Sequence, residues 1–229
     1  MTDYTSEGCK KMNVSSFEYK DNMELLENID YSAVKGSMFF NLYQRLLDIV
    51  LSLIGLVIGL PIIAIFGILI KIEDNGPITY KQERMGKGGS RFYIYKLRSM
   101  RTDAEKFGAQ WATKDDPRIT KVGNFIRKTR VDEIPQLFNI LKGDMSVIGP
   151  RPERPSFTEE FNNDIPGFIN RLAIKPGLTG WAQVNGGYDI NPKEKLIEDM
   201  YYIKNRSILL DFKILFKTVK VVLTGDGAR

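Results

Sequence analysis

The sequence predicts a helix-rich α/β fold with one small β-hairpin, tied to a membrane through a single long apolar helix. Three observations carry that reading. Residues Ile49 to Ile70 form 22 consecutive positions without a charge. Apolar and polar residues alternate at period two on either side of Gly86-Lys-Gly-Gly, and apolar residues recur at helical spacing over Glu133–Leu141 and Leu209–Leu223. With 229 residues, 43% of them hydrophobic, the chain has enough apolar side chains for a core, so wholesale disorder is excluded. It contains no histidine and one cysteine, Cys9. That excludes His-based acid–base chemistry, Ser-His-Asp and Cys-His nucleophiles, an intramolecular disulfide and the usual His/Cys zinc sites. Catalysis must rest on carboxylates, Lys, Arg, Tyr, hydroxyls, backbone amides or a hard metal ion.

Taken in order, residues 1–36 are polar without a clear period and read as a flexible extension, or a short helix around Met23–Leu26. Residues 37–72 form the membrane element. At ~1.5 Å per residue the uncharged run makes a helix of roughly 33 Å, against a bilayer core of about 30 Å. The 48 residues before it carry no basic n-region next to a cleavage site, which rules out a cleavable signal peptide. Five basic and eight acidic residues precede the run, whereas 28 basic and 20 acidic follow it, within an overall net charge of +5. Lys71, Lys81, Arg84 and Lys87 crowd its far end, so the positive-inside rule places the C-terminal part in the cytoplasm. Residues 73–229 read as one globular unit without internal repeats. Gly86-Lys87-Gly88-Gly89-Ser90 fits neither a Walker A nor a dinucleotide-binding spacing and is best taken as the hairpin turn. The segment Glu133–Leu141 forms a helix with Pro135 tolerated in its first turn. Leu209–Leu223 aligns Lys213, Lys217 and Lys220 on one face against an otherwise apolar surface. Two readings stay open for it: an amphipathic helix in the headgroup region, or a core helix with a solvated lysine edge.

Two stretches carry chemistry. In Arg127-Lys-Thr-Arg-Val-Asp132-Glu133-Ile-Pro135, adjacent carboxylates open a predicted helix just after three cations. Helical neighbours diverge by about 100°, so the two do not share one proton; they divide labour, one attacking and one holding a metal or substrate group. The helix N-terminus and the cations favour the ionised form a nucleophile needs. Acids in a first turn also occur for purely structural reasons. In Gly149-Pro150-Arg151-Pro152 the prolines stiffen the backbone on either side of Arg151, which suits presentation of a guanidinium to a phosphate, although a plain turn with an exposed Arg fits as well. Together the features suggest an anionic, phosphorylated substrate handled at a membrane.

The run Asp132-Glu-Ile-Pro-Gln-Leu-Phe-Asn-Ile-Leu-Lys-Gly-Asp-Met-Ser-Val-Ile-Gly-Pro-Arg-Pro152 resembles the signature of the bacterial sugar transferases, the monotopic phosphoglycosyl transferases. The resemblance continues in Gln82-x-Arg84-x-Gly86, Tyr95-Lys96-Leu97-Arg98-Ser99-Met100, Lys175-Pro-Gly-Leu-Thr-Gly-Trp181-Ala-Gln-Val-Asn-Gly186 and Asp199-Met-Tyr-Tyr-Ile-Lys204, covering about residues 40–223. It implies transfer of sugar-1-phosphate from a UDP-sugar to undecaprenyl phosphate with release of UMP, at the start of a bacterial surface polysaccharide or glycoconjugate. It implies Asp132 as nucleophile in a ping-pong reaction through an aspartyl phosphosugar, Glu133 at a required Mg²⁺, and Arg127 and Arg151 at the phosphates. Gln82, Arg84, Lys96, Arg98, Pro150, Pro152 and Trp181 take supporting parts. Undecaprenyl phosphate, the UDP-sugar and membrane phospholipids are the implied partners, and no nucleic acid is. The implied location is the bacterial cytoplasmic membrane, with the catalytic unit on its cytoplasmic face.

Topology is where length and resemblance diverge. Length favours a straight span, yet Pro61 divides the run into pieces of 12 and 9 residues, roughly 18 and 14 Å, and neither crosses the core. The resemblance implies a re-entrant helix–break–helix with both ends cytoplasmic. Where family members often carry Ser-Pro at the break, this chain has Leu60-Pro61, so a hydroxyl that helps bend the helix is missing. The competing functional reading is a membrane-anchored, non-catalytic protein whose basic face engages anionic lipid or nucleic acid. Neither the sugar nor the oligomeric state is written in the sequence.

Overall fold

A computed structural model describes residues 28–106, 108, 113, 116–186 and 190–224. Cys9 and the expected short helix around Met23–Leu26 lie outside the described residues. The longest element is α1 (Met38–Glu73), capped at its start by the Ser37 hydroxyl, which accepts from the Phe40 amide. Helix continues through Pro61 without a non-helical residue, so the expected break between two separate helices is absent. Proline removes one N–H and leaves the flanking bonds in place, and an apolar surrounding favours keeping them.

The expected hairpin is present: β1 (Thr79–Met85) pairs antiparallel with β2 (Arg91–Leu97), joined by a 3-10 turn at Lys87–Gly89. Gly88 and Gly89 take φ of 65° and 78° there, a region that β-carbons disfavour. After α2 (Lys121–Lys128) comes a 3-10 turn, Val131–Glu133, and only then α3 (Gln136–Lys142). The helix expected from Glu133 therefore begins later, with Pro135 at its N-cap, because the carboxylate pair belongs to a tighter preceding turn. A short parallel pair, β3 (Ser146–Ile148) with β4 (Gly177–Thr179), follows α3, with α4 (Pro155–Asp164) between its strands. The chain then runs through α5 (Trp181–Gly186), α6 (Pro192–Asn205) and α7 (Ile208–Thr224). The main core gathers Phe92 and Ile94 of β2, Ile140 of α3, Val147 and Ile148 of β3, Tyr202 and Ile203 of α6, and Ile214 of α7.

What positions the site is the way α1 lies on this body. Its inward stripe mixes small and polar residues with a few apolar ones: Phe40, Asp48, Ser52, Leu56, Gly59, Gly67 and Ile70 are buried. Gly55 faces the Leu137 side chain and Gly59 faces Ile134, where an added β-carbon would stand 2.8 and 2.5 Å from them. Such small-residue seams let a helix backbone approach its neighbour closely. The outward stripe is apolar and exposed, with Leu42, Leu46, Val50, Leu53, Val57, Ile65, Ile68 and Ile72.

Both ends of α1 are fixed to the same body. Arg45 donates to the carbonyls of Ile140 (2.7 Å) and Leu141 (2.6 Å) near the C-terminus of α3. Twenty-eight residues later, the Glu73 carboxylate accepts from the amides of Lys121 (2.7 Å) and Val122 (3.0 Å) at the N-terminus of α2. Each charge matches the helix end that it meets. Between them, Asp48 accepts from the Ser146 hydroxyl at 2.9 Å and the Val147 amide at 2.7 Å. The stretch before α1 packs on the body as well: Ile29 is buried with Met85, Ile169, Leu172 and Ala173, and the Lys35 amide donates to the Ile203 carbonyl.

Candidate active site

Asp132 and Glu133 sit in the 3-10 turn because Arg130, just before it, adopts left-handed backbone at φ 56°, the only non-glycine residue to do so among the described residues. That reversal turns the chain from α2 towards α3 and directs both carboxylates inwards, where Asp132 is 7% exposed. Strained backbone of this kind persists only where surrounding structure enforces it. Here Ile126 is fully buried against Ile70 and Leu97, with Val131 packed on that cluster. Immediately beyond the pair, Ile134 and Leu137 meet the glycines of α1.

Lys96, at the end of β2, bridges the pair: its Nζ stands 3.0 Å from Glu133 Oε1 and 3.6 Å from Asp132 Oδ2. Arg151 pairs with the same Glu133 oxygen. The two acids are consequently shifted in opposite directions. Burial opposes the charge on Glu133, but Arg151 and Lys96 together override it and hold that carboxyl well below the usual range. Burial, reinforced by the Glu133 charge, lifts Asp132 above its ordinary value against the pull of Lys96, Arg127 and Arg151. The cations favour ionised Asp132, as the sequence suggests, but burial acts against them. The turn is not an α-helical N-terminus, and desolvation outweighs the cations there.

The stiffness expected of Pro150-Arg151-Pro152 has a specific origin. The carbonyl of Pro150 accepts from the Gly177 amide at 2.9 Å, that of Arg151 from Arg171 at 2.9 Å, and that of Pro152 from Arg84 at 2.9 Å. Arg84 therefore acts behind the site, also engaging Gln82 and Glu153. Arg171 is itself oriented by Asp199, 2.7 Å away and fully buried. Arg98 lies against Asp74 at the end of α1 and fixes that end to the cavity wall.

These groups open onto a cavity of about 420 Å³ that takes in Lys96, Arg127, Arg130, Asp132, Glu133 and Arg151, with Tyr80, Glu105, Arg154, Lys195 and Asp199 around them. Nine basic side chains against five acidic ones line it, which suits a polyanion. Most of the residues expected from the sequence thus converge. Trp181 is outside: it stacks on Tyr201, with Lys213 and Lys217 over its ring at 5.2 and 4.7 Å. Its neighbours Ala182 and Gln183 line the cavity in its place, because a short helix turns them the other way. Two of the three lysines of the stripe on α7 thus cover an aromatic ring, while Leu209, Phe212, Phe216 and Val219 stand exposed on the same helix. Arg130, Tyr80, Glu105, Arg154 and Lys195 were not anticipated. Only Arg130 had a signal, its position between two cations and the carboxylate pair.

The family model described as bacterial sugar transferase matches residues 39–225. The chain belongs to the bacterial sugar transferase family. A UDP-N-acetylgalactosamine-undecaprenyl-phosphate N-acetylgalactosaminephosphotransferase of Aeromonas hydrophila is 46% identical over 196 residues, 84% of this chain and 46% of its own length. An undecaprenyl-phosphate galactose phosphotransferase of Salmonella typhimurium is 39% identical over 228 residues, 93% of this chain and 46% of that protein. The exopolysaccharide production protein PSS of Rhizobium leguminosarum bv. phaseoli is 40% identical over 194 residues, which cover 80% of this chain and 97% of that one. The chain thus spans about half the length of the Aeromonas and Salmonella relatives, and nearly all of the Rhizobium protein lies within the match.

Proposed function

We propose that this sugar transferase moves a sugar-1-phosphate from a UDP-sugar to undecaprenyl phosphate, releasing UMP and leaving undecaprenyl-diphosphate-sugar. The observation that carries the reading is a buried carboxylate, Asp132, at the floor of a basic cavity and beside a second carboxylate held ionised by Lys96 and Arg151. A non-catalytic basic surface would have no need of such a pair.

In the first step an Asp132 carboxylate oxygen attacks the β-phosphorus. The bond from that phosphorus to the bridging oxygen breaks, and UMP leaves with the electron pair. In the second, an oxygen of the polyprenyl phosphate attacks the same phosphorus and the aspartyl–phosphorus bond breaks, returning Asp132 as carboxylate. Splitting the transfer lets two substrates use one site in turn. Arg151, on its hydrogen-bonded backbone, and Lys96 face the charge that builds on the phosphoryl oxygens. Arg127 and Arg130 line the same cavity. Two adjacent carboxylates suit Mg²⁺, which takes one or two such ligands and completes its shell with substrate phosphates and water. Glu133 would hold the ion, whose contribution is to neutralise diphosphate charge.

We further propose that α1 is re-entrant, with the catalytic unit on the cytoplasmic face. Supporting this, residues 29–35 before α1 and Asp74 after it are bound to the same body, and Arg45 and Glu73 cap two of its helices. A bend suffices for that course, and a proline inside a continuing helix, here Pro61, would supply it. The exposed apolar stripes of α1 and α7 would then lie in the leaflet, with phospholipids as neighbours. The test is UMP release from a panel of UDP-sugars by detergent-solubilised protein with Mg²⁺ and undecaprenyl phosphate. Release from at least one sugar is expected, and release from none would refute the activity.

A further inference from the structure

Among the described residues, three that line the cavity have buried polar atoms without a partner: Arg84 and Arg98 at Nε alone, and Gln183 at both atoms of its amide. Gln183 lines the cavity, and both its Oε1 and its Nε2 are buried without a hydrogen-bond partner among the described residues. Other polar groups of the cavity are already paired. Lys195 Nζ lies 2.9 Å from Glu153, and Asp199 lies 2.7 Å from Arg171. The cavity's other carboxamide, Gln82, bonds to Tyr80 and Arg84. The place of the Gln183 amide is prepared by Gly180, where an added β-carbon would stand 2.6 Å from Oε1. Buried amides left without partners on both atoms are rare and costly, and beside a ligand cavity they point to the ligand.

We infer that Gln183 is a specificity-determining residue that pairs with a neutral donor–acceptor edge of the donor substrate. A carboxamide presents one acceptor and one donor side by side. A phosphate offers acceptors alone at neutral pH and would leave Oε1 unmatched, so Gln183 stands apart from the phosphate-binding set of Lys96, Arg127 and Arg151. If the substrate is a UDP-sugar, as the proposed activity holds, it carries two suitable edges. One is the imide of uracil, an N–H beside a carbonyl; the other is a vicinal pair of sugar hydroxyls. The shared chemistry is the same, and inhibition by UMP separates the two sources, because UMP retains the base and lacks the sugar.

The experiment compares wild type with Gln183→Met, which keeps length and volume, and Gln183→Leu as a second apolar variant. Wild type must first release UMP from some UDP-sugar; failure there rejects the proposed activity and is read before any variant is compared. For both variants KM for the UDP-sugar is expected to rise about tenfold with kcat little changed. The thermal midpoint without substrate stays level or increases, since no bond within the protein is lost. A parallel rise in the inhibition constant of UMP assigns the uracil edge. An unchanged UMP constant, with a reduced preference among UDP-sugars, assigns the sugar. Unchanged KM, UMP inhibition and sugar preference would overturn the inference. So would a lowered thermal midpoint or a failure to fold in both variants, which would mean that the amide has structural partners.

Discussion

At the scale of single residues, chemistry here depends on an imbalance between neighbours. Lys96 and Arg151 both bond to Glu133, so Glu133 stays ionised while burial lifts Asp132. Asp132→Asn is expected to lower turnover by at least about a thousandfold, because a covalent step loses its nucleophile; normal UMP release from that variant would remove Asp132 from the mechanism. Glu133→Gln should lower kcat by about a hundredfold and raise the Mg²⁺ concentration giving half the maximal rate. The attacking form of Asp132 is the deprotonated one and its pKa is raised. The acid limb of a pH–rate profile for the first step should therefore lie above the ordinary aspartate range, with activity falling as pH drops through it. Of these residues the sequence exposed Asp132, Glu133, Arg127 and Arg151, because a short motif holds them. It did not expose the part of Arg171, which depends on Arg151, 20 residues away. Trp181 lies outside the cavity while Ala182 and Gln183 line it, because successive residues of a short helix point in different directions.

At the scale of elements, the seam between α1 and α3 ties the membrane helix to the turn holding the carboxylates. Gly59 meets Ile134, two residues beyond Asp132. Gly59→Leu overpacks that contact and should displace the turn, lowering kcat by about tenfold with KM little affected. Steady-state kinetics on the purified variant would check this. An uncharged apolar run located α1, and periodicity located the hairpin and α7, each with boundaries close to those found. Neither revealed that Arg45 and Glu73 cap other helices, since capping across such distances leaves no local pattern. A second device joins α1 to α6 and α7. Tyr202 donates to Asp211 at 2.8 Å, and Gln44 donates to both. Burial pushes Asp211 up to about 6. A carboxyl raised on folding stabilises most below its unfolded pKa, and that share is lost as pH rises through the folded value. The stability difference between wild type and Asp211→Asn should accordingly shift towards the variant, by on the order of 2–3 kcal/mol, between pH 4 and pH 7. Thermal melts across that range measure it.

At the scale of the whole molecule, one body holds both ends of an apolar helix and places a basic cavity beside it. With α1 re-entrant, as proposed, the cavity mouth would lie near the headgroups, within reach of both the proposed nucleotide sugar and the proposed lipid phosphate. Topology has its own probe in Cys9, the sole thiol and N-terminal to α1. A membrane-impermeant maleimide should label it in inside-out vesicles and spare it in sealed right-side-out cells; labelling from outside would mean that α1 spans. The central claim is covalent transfer through Asp132, and one measurement tests it most directly. Wild-type protein is mixed with UDP-sugar and Mg²⁺ in the absence of polyprenyl phosphate, and UMP and intact protein mass are followed together. The account predicts about one UMP per active site and a gain of one sugar phosphate on the peptide carrying Asp132. No UMP and no added mass until the lipid phosphate is supplied would contradict it, and would mean direct transfer between two bound substrates.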